Sequence, residues 1–123
     1  LYVTGSMGTW KKKPVPRLDL RATLQRHAHA AIDITDGLAL DLSRLLEASG
    51  LAAEISADPP LDAGATAAAA WHEGESYELL FASSRRLAFP VIGRVVAGTP
   101  GQILRDGRAI TPAGWDPFPA RAC

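Results

Sequence analysis

The chain has 123 residues, 47% of them hydrophobic, which suffices for one core under a solvated surface, so a single domain over 1–123 is expected. Thirteen Lys and Arg balance thirteen Asp and Glu, which removes any general pull toward nucleic acid or an anionic membrane. No apolar run approaches the ~20 residues of a membrane-spanning helix, and the one cysteine, Cys123, rules out an intramolecular disulfide framework and fits a cytoplasmic setting.

Residues 1–4 favour a strand that stops at Gly5, and the chain opens as if in the middle of that strand, without an initiator Met. A chain whose upstream half is missing or removed would begin this way. Three lysines and two prolines between Trp10 and Pro16 read as an extended surface loop. Residues 17–29 place Leu18, Leu20, Leu24 and Ala28 on an amphipathic helix, with Pro16 ahead of its first turn. His27 and His29, two apart, would point to different faces of that helix and are read as structural or solvent-facing. A short apolar run over 30–34 contains Asp33 and leads through Thr35-Asp36-Gly37 into a helix over 38–49. Its stripe is Leu38, Leu42, Leu45, Leu46 and Ser49, and Gly50 suits a left-handed cap.

A strand over 51–56 is broken by Asp58-Pro59-Pro60, and the alanine-rich stretch 63–71 reads as a helix. Strands follow over 77–82, 91–96 and 102–104, with Asp106-Gly107 as a hairpin signal before 108–110. The tail 112–123 is expected to be irregular and on the surface. Interspersed helices and strands predict an α/β (α+β) chain with a mixed β-sheet covered on one face by helices.

The chemistry concentrates at Ile32-Asp33-Ile34-Thr35-Asp36-Gly37-Leu38, where two carboxylates and a hydroxyl meet at a strand-to-helix turn. Thr35 or Asp36 as a helix cap would account for one of them. Capping does not account for Asp33, and two neighbouring carboxylates repel unless one is protonated or a cation lies between them. Mg²⁺ would satisfy both, because it takes a few carboxylates together with water and phosphate oxygens. No G-x-x-x-x-G-K-[ST] loop is present, so phosphate would be held by metal and carboxylates.

Residues 31–42, followed by Glu47-Ala48-Ser49-Gly50, resemble the I-D-I-S-D-G-L…D-L…E-A-S-G signature of thiamine-monophosphate kinases. Tyr2-Val3-Thr4-Gly5 is similar to that family's Y-V-T-G strand. Glu75-Ser76-Tyr77-Glu78-Leu79-Leu80-Phe81 is similar to G-G-E-D-Y-E-L-L-F, Ile92-Gly93-Arg94-Val95 to I-G-x-V, and Gly114-Trp115-Asp116-Pro117-Phe118 to G-[YW]-D-H-F. The resemblance implies the carboxy-terminal α/β domain of the aminoimidazole-ribonucleotide-synthetase-like superfamily. It also implies ATP- and Mg²⁺-dependent phosphorylation of thiamine monophosphate to thiamine diphosphate. On that resemblance Asp33 and Asp36 would be Mg²⁺ ligands and Thr35 would contact ATP, with Glu75 and Trp115 on the substrate. It further implies a separate amino-terminal kinase domain as partner, without which this half would turn over little or nothing.

The sequence departs from the family pattern at several positions: Thr35 for Ser, Ser76 for Asp, Glu73-Gly74 for Gly-Gly and Pro117 for His. Two connections, before Pro14 and between Phe81 and Ile92, are also short. A diverged, non-catalytic domain of the same fold is the alternative reading. Another superfamily enzyme, such as a synthetase acting on formylglycinamide or selenide, is a third.

Overall fold

The fold is that of a computed structural model, which describes residues 1–10 and 13–116. Lys11, Lys12, Pro117, Phe118 and Cys123 lie outside the described residues, as do the other residues of the tail from 117 on. Among the described residues seven strands and three α-helices follow one another as β1 (Tyr2–Val3), α1 (Arg21–His27), β2 (Ala30–Asp33), α2 (Leu38–Ser49), β3 (Ala52–Ile55), α3 (Ala67–His72), β4 (Leu79–Ala82), β5 (Gly93–Val96), β6 (Ile103–Arg105) and β7 (Arg108–Ile110). The strands divide between two sheets. One is antiparallel with the order β1-β4-β2, and the other has the order β5-β3-β6-β7, in which only β3 and β6 run parallel. The expected α+β class and mixed sheet hold, but no single sheet carries all the strands.

Helix α2 joins the two halves, since it contacts β2 of the first sheet and β3 of the second. Leu38, Ala39, Leu42 and Leu46 are its buried residues apart from Asp41, and Gly50 closes it in the left-handed conformation at φ 67°. The predicted stripe is thus right for its leucines. Ser49 instead faces solvent, with its hydroxyl donating to the Leu45 carbonyl one turn earlier at 2.7 Å. Each fully buried leucine contributes roughly 1.5–3 kcal/mol relative to exposure. They pack into one core with Val3, Met7, Ile34, Leu80, Ile92 and Ile103.

In β4 the side chains alternate, so Leu80 enters that core while Phe81 turns to the opposite face. There Phe81 stacks on Tyr2, with ring centroids 5.2 Å apart, and meets Phe89 edge-on.

The segment 17–29 differs most from its expectation. Its first turn is a 3-10 helix over Leu18–Leu20, followed by the seven-residue α1, and neither buries a residue. Leu18 is 77% exposed, so the apolar spacing that predicted one amphipathic helix does not serve the core. His29 lies beyond the helix with its Nε2 3.0 Å from the Ser84 hydroxyl. Helix α3 is shorter than 63–71 because Thr66 caps it, its hydroxyl accepting from the Ala69 amide at 3.1 Å. No described helix is long and apolar enough to cross a membrane.

Candidate functional site

The turn after β2 is gripped by backbone hydrogen bonds from distant segments. The Ile34 amide donates to the Glu78 carbonyl, and the Tyr77 amide returns a bond to the Ile34 carbonyl, at 2.8 and 2.9 Å. One residue further, the Glu75 amide donates to the Thr35 carbonyl at 2.8 Å. The Trp115 amide donates to the Asp36 carbonyl, also at 2.8 Å. Two stretches distant in sequence, 75–78 and Trp115, therefore meet at residues 34–36.

Two glycines permit this approach. A Cβ on Gly74 would lie 2.3 Å from the Thr35 carbonyl oxygen, and one on Gly114 would lie 2.4 Å from that of Asp36. Between the first of these contacts and β4, Glu75 and Tyr77 adopt left-handed conformations at φ 64° and 54°. Such conformations are costly for residues with a side chain and cluster where a site constrains the backbone.

Thr35, Asp36, Gly74, Glu75 and Trp115 line one cavity of about 310 Å³. Four of the five side chains singled out from sequence are thereby brought together. Asp33, the fifth, ends β2 as an exposed residue and is not in the cavity lining. Its charge still reaches the neighbourhood: Tyr77 is held above the ordinary phenol value first by its hydrogen bond to Glu75, with burial, the Glu75 charge and the Asp33 charge adding. In that bond the Tyr77 hydroxyl donates to Glu75 Oε2.

Neither Thr35 nor Asp36 caps α2. The cap position is Gly37, and no side chain bonds there. The turn amides are taken instead by Asp41, from inside the helix. Its Oδ2 accepts from the Thr35 and Asp36 amides at 2.9 and 3.0 Å. Asp41 is only 1% exposed, and its Oδ1 accepts from Arg44 Nη1 at 3.1 Å.

The same Arg44 nitrogen donates to Asp36 Oδ2. That bond is the foremost reason the guanidinium is held above its usual range, with the Asp36 charge and the bond and charge of Asp41 adding and burial opposing. The repulsion that sequence reasoning assigned to a metal is thus compensated at Asp36 by a side chain of the chain itself. Among the described residues no group of three His, Cys, Asp or Glu side chains is arranged to hold an ion.

Sequence reasoning gave no role to Asp41, Arg44 and Tyr77. An i,i+3 acid–base pair on one helix face was a usable signal for Asp41 and Arg44. Nothing local pointed Tyr77 at Glu75. The neighbouring Ser76 is buried, and its Oγ has no hydrogen-bond partner among the described residues.

An α+β chain of two sheets joined by one helix, with its polar cavity at a glycine-lined strand-to-helix turn, defines the class. Residues 9–89 match the family model described as AIR synthase related protein, C-terminal domain, and the chain belongs to that family. Among its curated sequence relatives is the thiamine-monophosphate kinase of Rhodopirellula baltica, 38% identical over 66% of this chain and 31% of that one. The thiamine-monophosphate kinase of Methanospirillum hungatei is 35% identical over 94% of this chain and 44% of that one.

Among solved structures, AaThiL complexed with AMPPCP and TMP superposes with a TM-score of 0.79 at 28% identity, covering 95% of this chain and 50% of that one. Thiamine-monophosphate kinase from Stenotrophomonas maltophilia shares the fold, with a TM-score of 0.73 at 24% identity over 89% of this chain and 50% of that one. The chain spans half or less of the length of each of these relatives.

Proposed function

We propose that this chain is the carboxy-terminal part of a cytoplasmic thiamine-monophosphate kinase, which uses ATP and Mg²⁺ to convert thiamine monophosphate to thiamine diphosphate. The observation that carries the reading is the cavity in which Thr35, Asp36, Glu75 and Trp115 meet. Support also comes from the sequence relatives, and from the structural relative complexed with AMPPCP, an ATP analogue, and TMP.

Each side chain has chemistry suited to its part. Trp115 is 64% exposed and offers an aromatic face to a cationic thiazolium ring. Glu75 holds the substrate, with its carboxylate oriented by the Tyr77 hydroxyl. The Thr35 hydroxyl, half-buried on the cavity wall, contacts the nucleotide.

Asp36 and Asp33 suit a magnesium ion shared with phosphate oxygens better than a protein-only cage, since Mg²⁺ takes one or two carboxylates and fills its remaining positions with water and phosphate. When bound, that ion supplies neutralisation of phosphoryl charge. The acceptor phosphate is already anionic and needs no general base, so the protein's part is to place acceptor and donor in line. The amino-terminal kinase domain acts as partner in this reading, and 1–123 form one domain beside it.

The test is formation of thiamine diphosphate from thiamine monophosphate, ATP and Mg²⁺. A two-domain protein carrying these residues turns over, whereas the 123 residues alone show little or none. Robust turnover by the chain alone would overturn the division of labour, and no turnover by the two-domain protein would overturn the kinase reading. Ser76 favours a second reading, a diverged domain that has lost catalysis: its buried hydroxyl has no partner among the described residues, where the family pattern carries a carboxylate. A two-domain protein that binds neither thiamine monophosphate nor Mg²⁺ would support that second reading.

A further inference from the structure

We infer that Arg44 is a resident counter-cation that a divalent cation must displace from Asp36, so that this arginine sets how tightly the turn takes a metal ion. The inference rests on the divalent-cation reading of Asp36 given above.

One guanidinium nitrogen serves two carboxylates, Asp36 through Oδ2 and Asp41 through Oδ1. The two acids play different parts. Asp41 has both oxygens engaged and its side chain is 2% exposed, which leaves it no room to coordinate an ion. Asp36 is 20% exposed, lines the cavity, and is the carboxylate of the pair that an incoming ion can reach.

A cation arriving at Asp36 meets a positive charge already bonded to one of its two oxygens. Arg44 is itself 41% exposed, so its head group can leave toward solvent without a large rearrangement. The pair therefore behaves as an exchange. Arg44 keeps Asp36 oriented and charge-balanced beside Asp41 before the ion arrives, and gives way to it afterwards. An exposed ion pair shifts such an equilibrium by up to about fivefold. That is a positioning and affinity-setting role, exercised through Asp36.

The experiment titrates Mn²⁺ alone into the chain and reads free ion by electron paramagnetic resonance, for the unaltered protein, Arg44→Met, Arg44→Lys, and Arg44→Met combined with Asp36→Asn. Removing the positive charge is expected to tighten Mn²⁺ binding about fivefold. Arg44→Lys, which keeps a competing cation, is expected to stay at the unaltered affinity. Should Arg44→Met fail to fold, Arg44→Gln removes the charge while keeping a donor for Asp41, with the same expected result. Equal or weaker binding in the charge-removed variant, or Arg44→Lys binding as tightly as Arg44→Met, overturns the inference. The divalent-cation reading fails separately if adding Asp36→Asn leaves Mn²⁺ uptake unchanged.

Discussion

The two sheets end their strands in different ways. In the four-stranded sheet β6 turns into β7 through Asp106 and Gly107, both at positive φ, 51° and 73°, as a tight two-residue hairpin requires. Among the described residues nothing lies within 4 Å of where a Gly107 Cβ would be. In the three-stranded sheet β2 runs into a turn gripped by the backbone of residues 75–78 and 115, with Gly74 and Gly114 pressed against its carbonyls. A turn that closes itself connects strands, whereas one closed by distant segments gathers side chains from each of them. The candidate site is of the second kind.

That contrast breaks most sharply at its glycines. Gly74→Ala forces a methyl against the Thr35 carbonyl, and the expected loss is about 3 kcal/mol or more in denaturant unfolding, together with loss of ligand binding. Gly107→Ala meets no atoms and faces only the strain of its φ, so about 1 kcal/mol is expected, with binding unchanged. Equal effects at the two positions would remove the distinction.

Asp41→Ala comes next in size. It leaves two turn amides without their acceptor and takes from Arg44 one of its two carboxylate partners, and about 2–3 kcal/mol is expected from the urea midpoint. The turn 34–36 should also exchange its amide protons faster than the rest of the first sheet.

Asp58 is a matching hub away from the cavity. One of its oxygens accepts from the Trp71 indole and the Arg105 guanidinium, each at 2.7 Å. The Arg105 pair is more than one-third exposed on both sides and is discounted accordingly. The buried Trp71 N–H left without an acceptor gives Asp58→Ala an expected cost of about 1–2 kcal/mol. The bonds from Arg105 and then Trp71 hold the Asp58 carboxyl below its usual 3.8. A depressed folded-state value stabilises the fold above the unfolded value and loses that contribution as pH falls through the folded one. The stability gap between the unaltered protein and Asp58→Asn should therefore be constant above pH 3.8 and narrow in stronger acid. A gap that widens there would contradict the assignment.

The parts of the fold that obey local rules were legible in the sequence. Helix α2 spans 38–49 as its leucine spacing and Gly50 require, and the Asp106-Gly107 hairpin stands where its dipeptide places it. The segment 17–29 misled because Leu20, Leu24 and Ala28 keep an i,i+4 spacing in a stretch whose helical turns bury no residue. At the site, Thr35 and Asp36 were legible from the acidic strand-to-helix turn, Glu75 and Trp115 through motif resemblance, and the cavity joins all four. What resemblance missed was their support. A rule that seeks caps before a helix passes over Asp41, which reaches back from within it. The left-handed pair Glu75 and Tyr77 follows from contacts with residues forty positions away, which no local propensity encodes.

The most direct measurement of the account is a calorimetric titration of thiamine monophosphate into the chain and into Trp115→Ala. Stacking of a cationic ring on the exposed indole predicts binding to the unaltered chain, weakened about tenfold by the substitution. Identical affinities, or no heat of binding from the unaltered chain, would contradict the claim that this cavity is where the substrate sits.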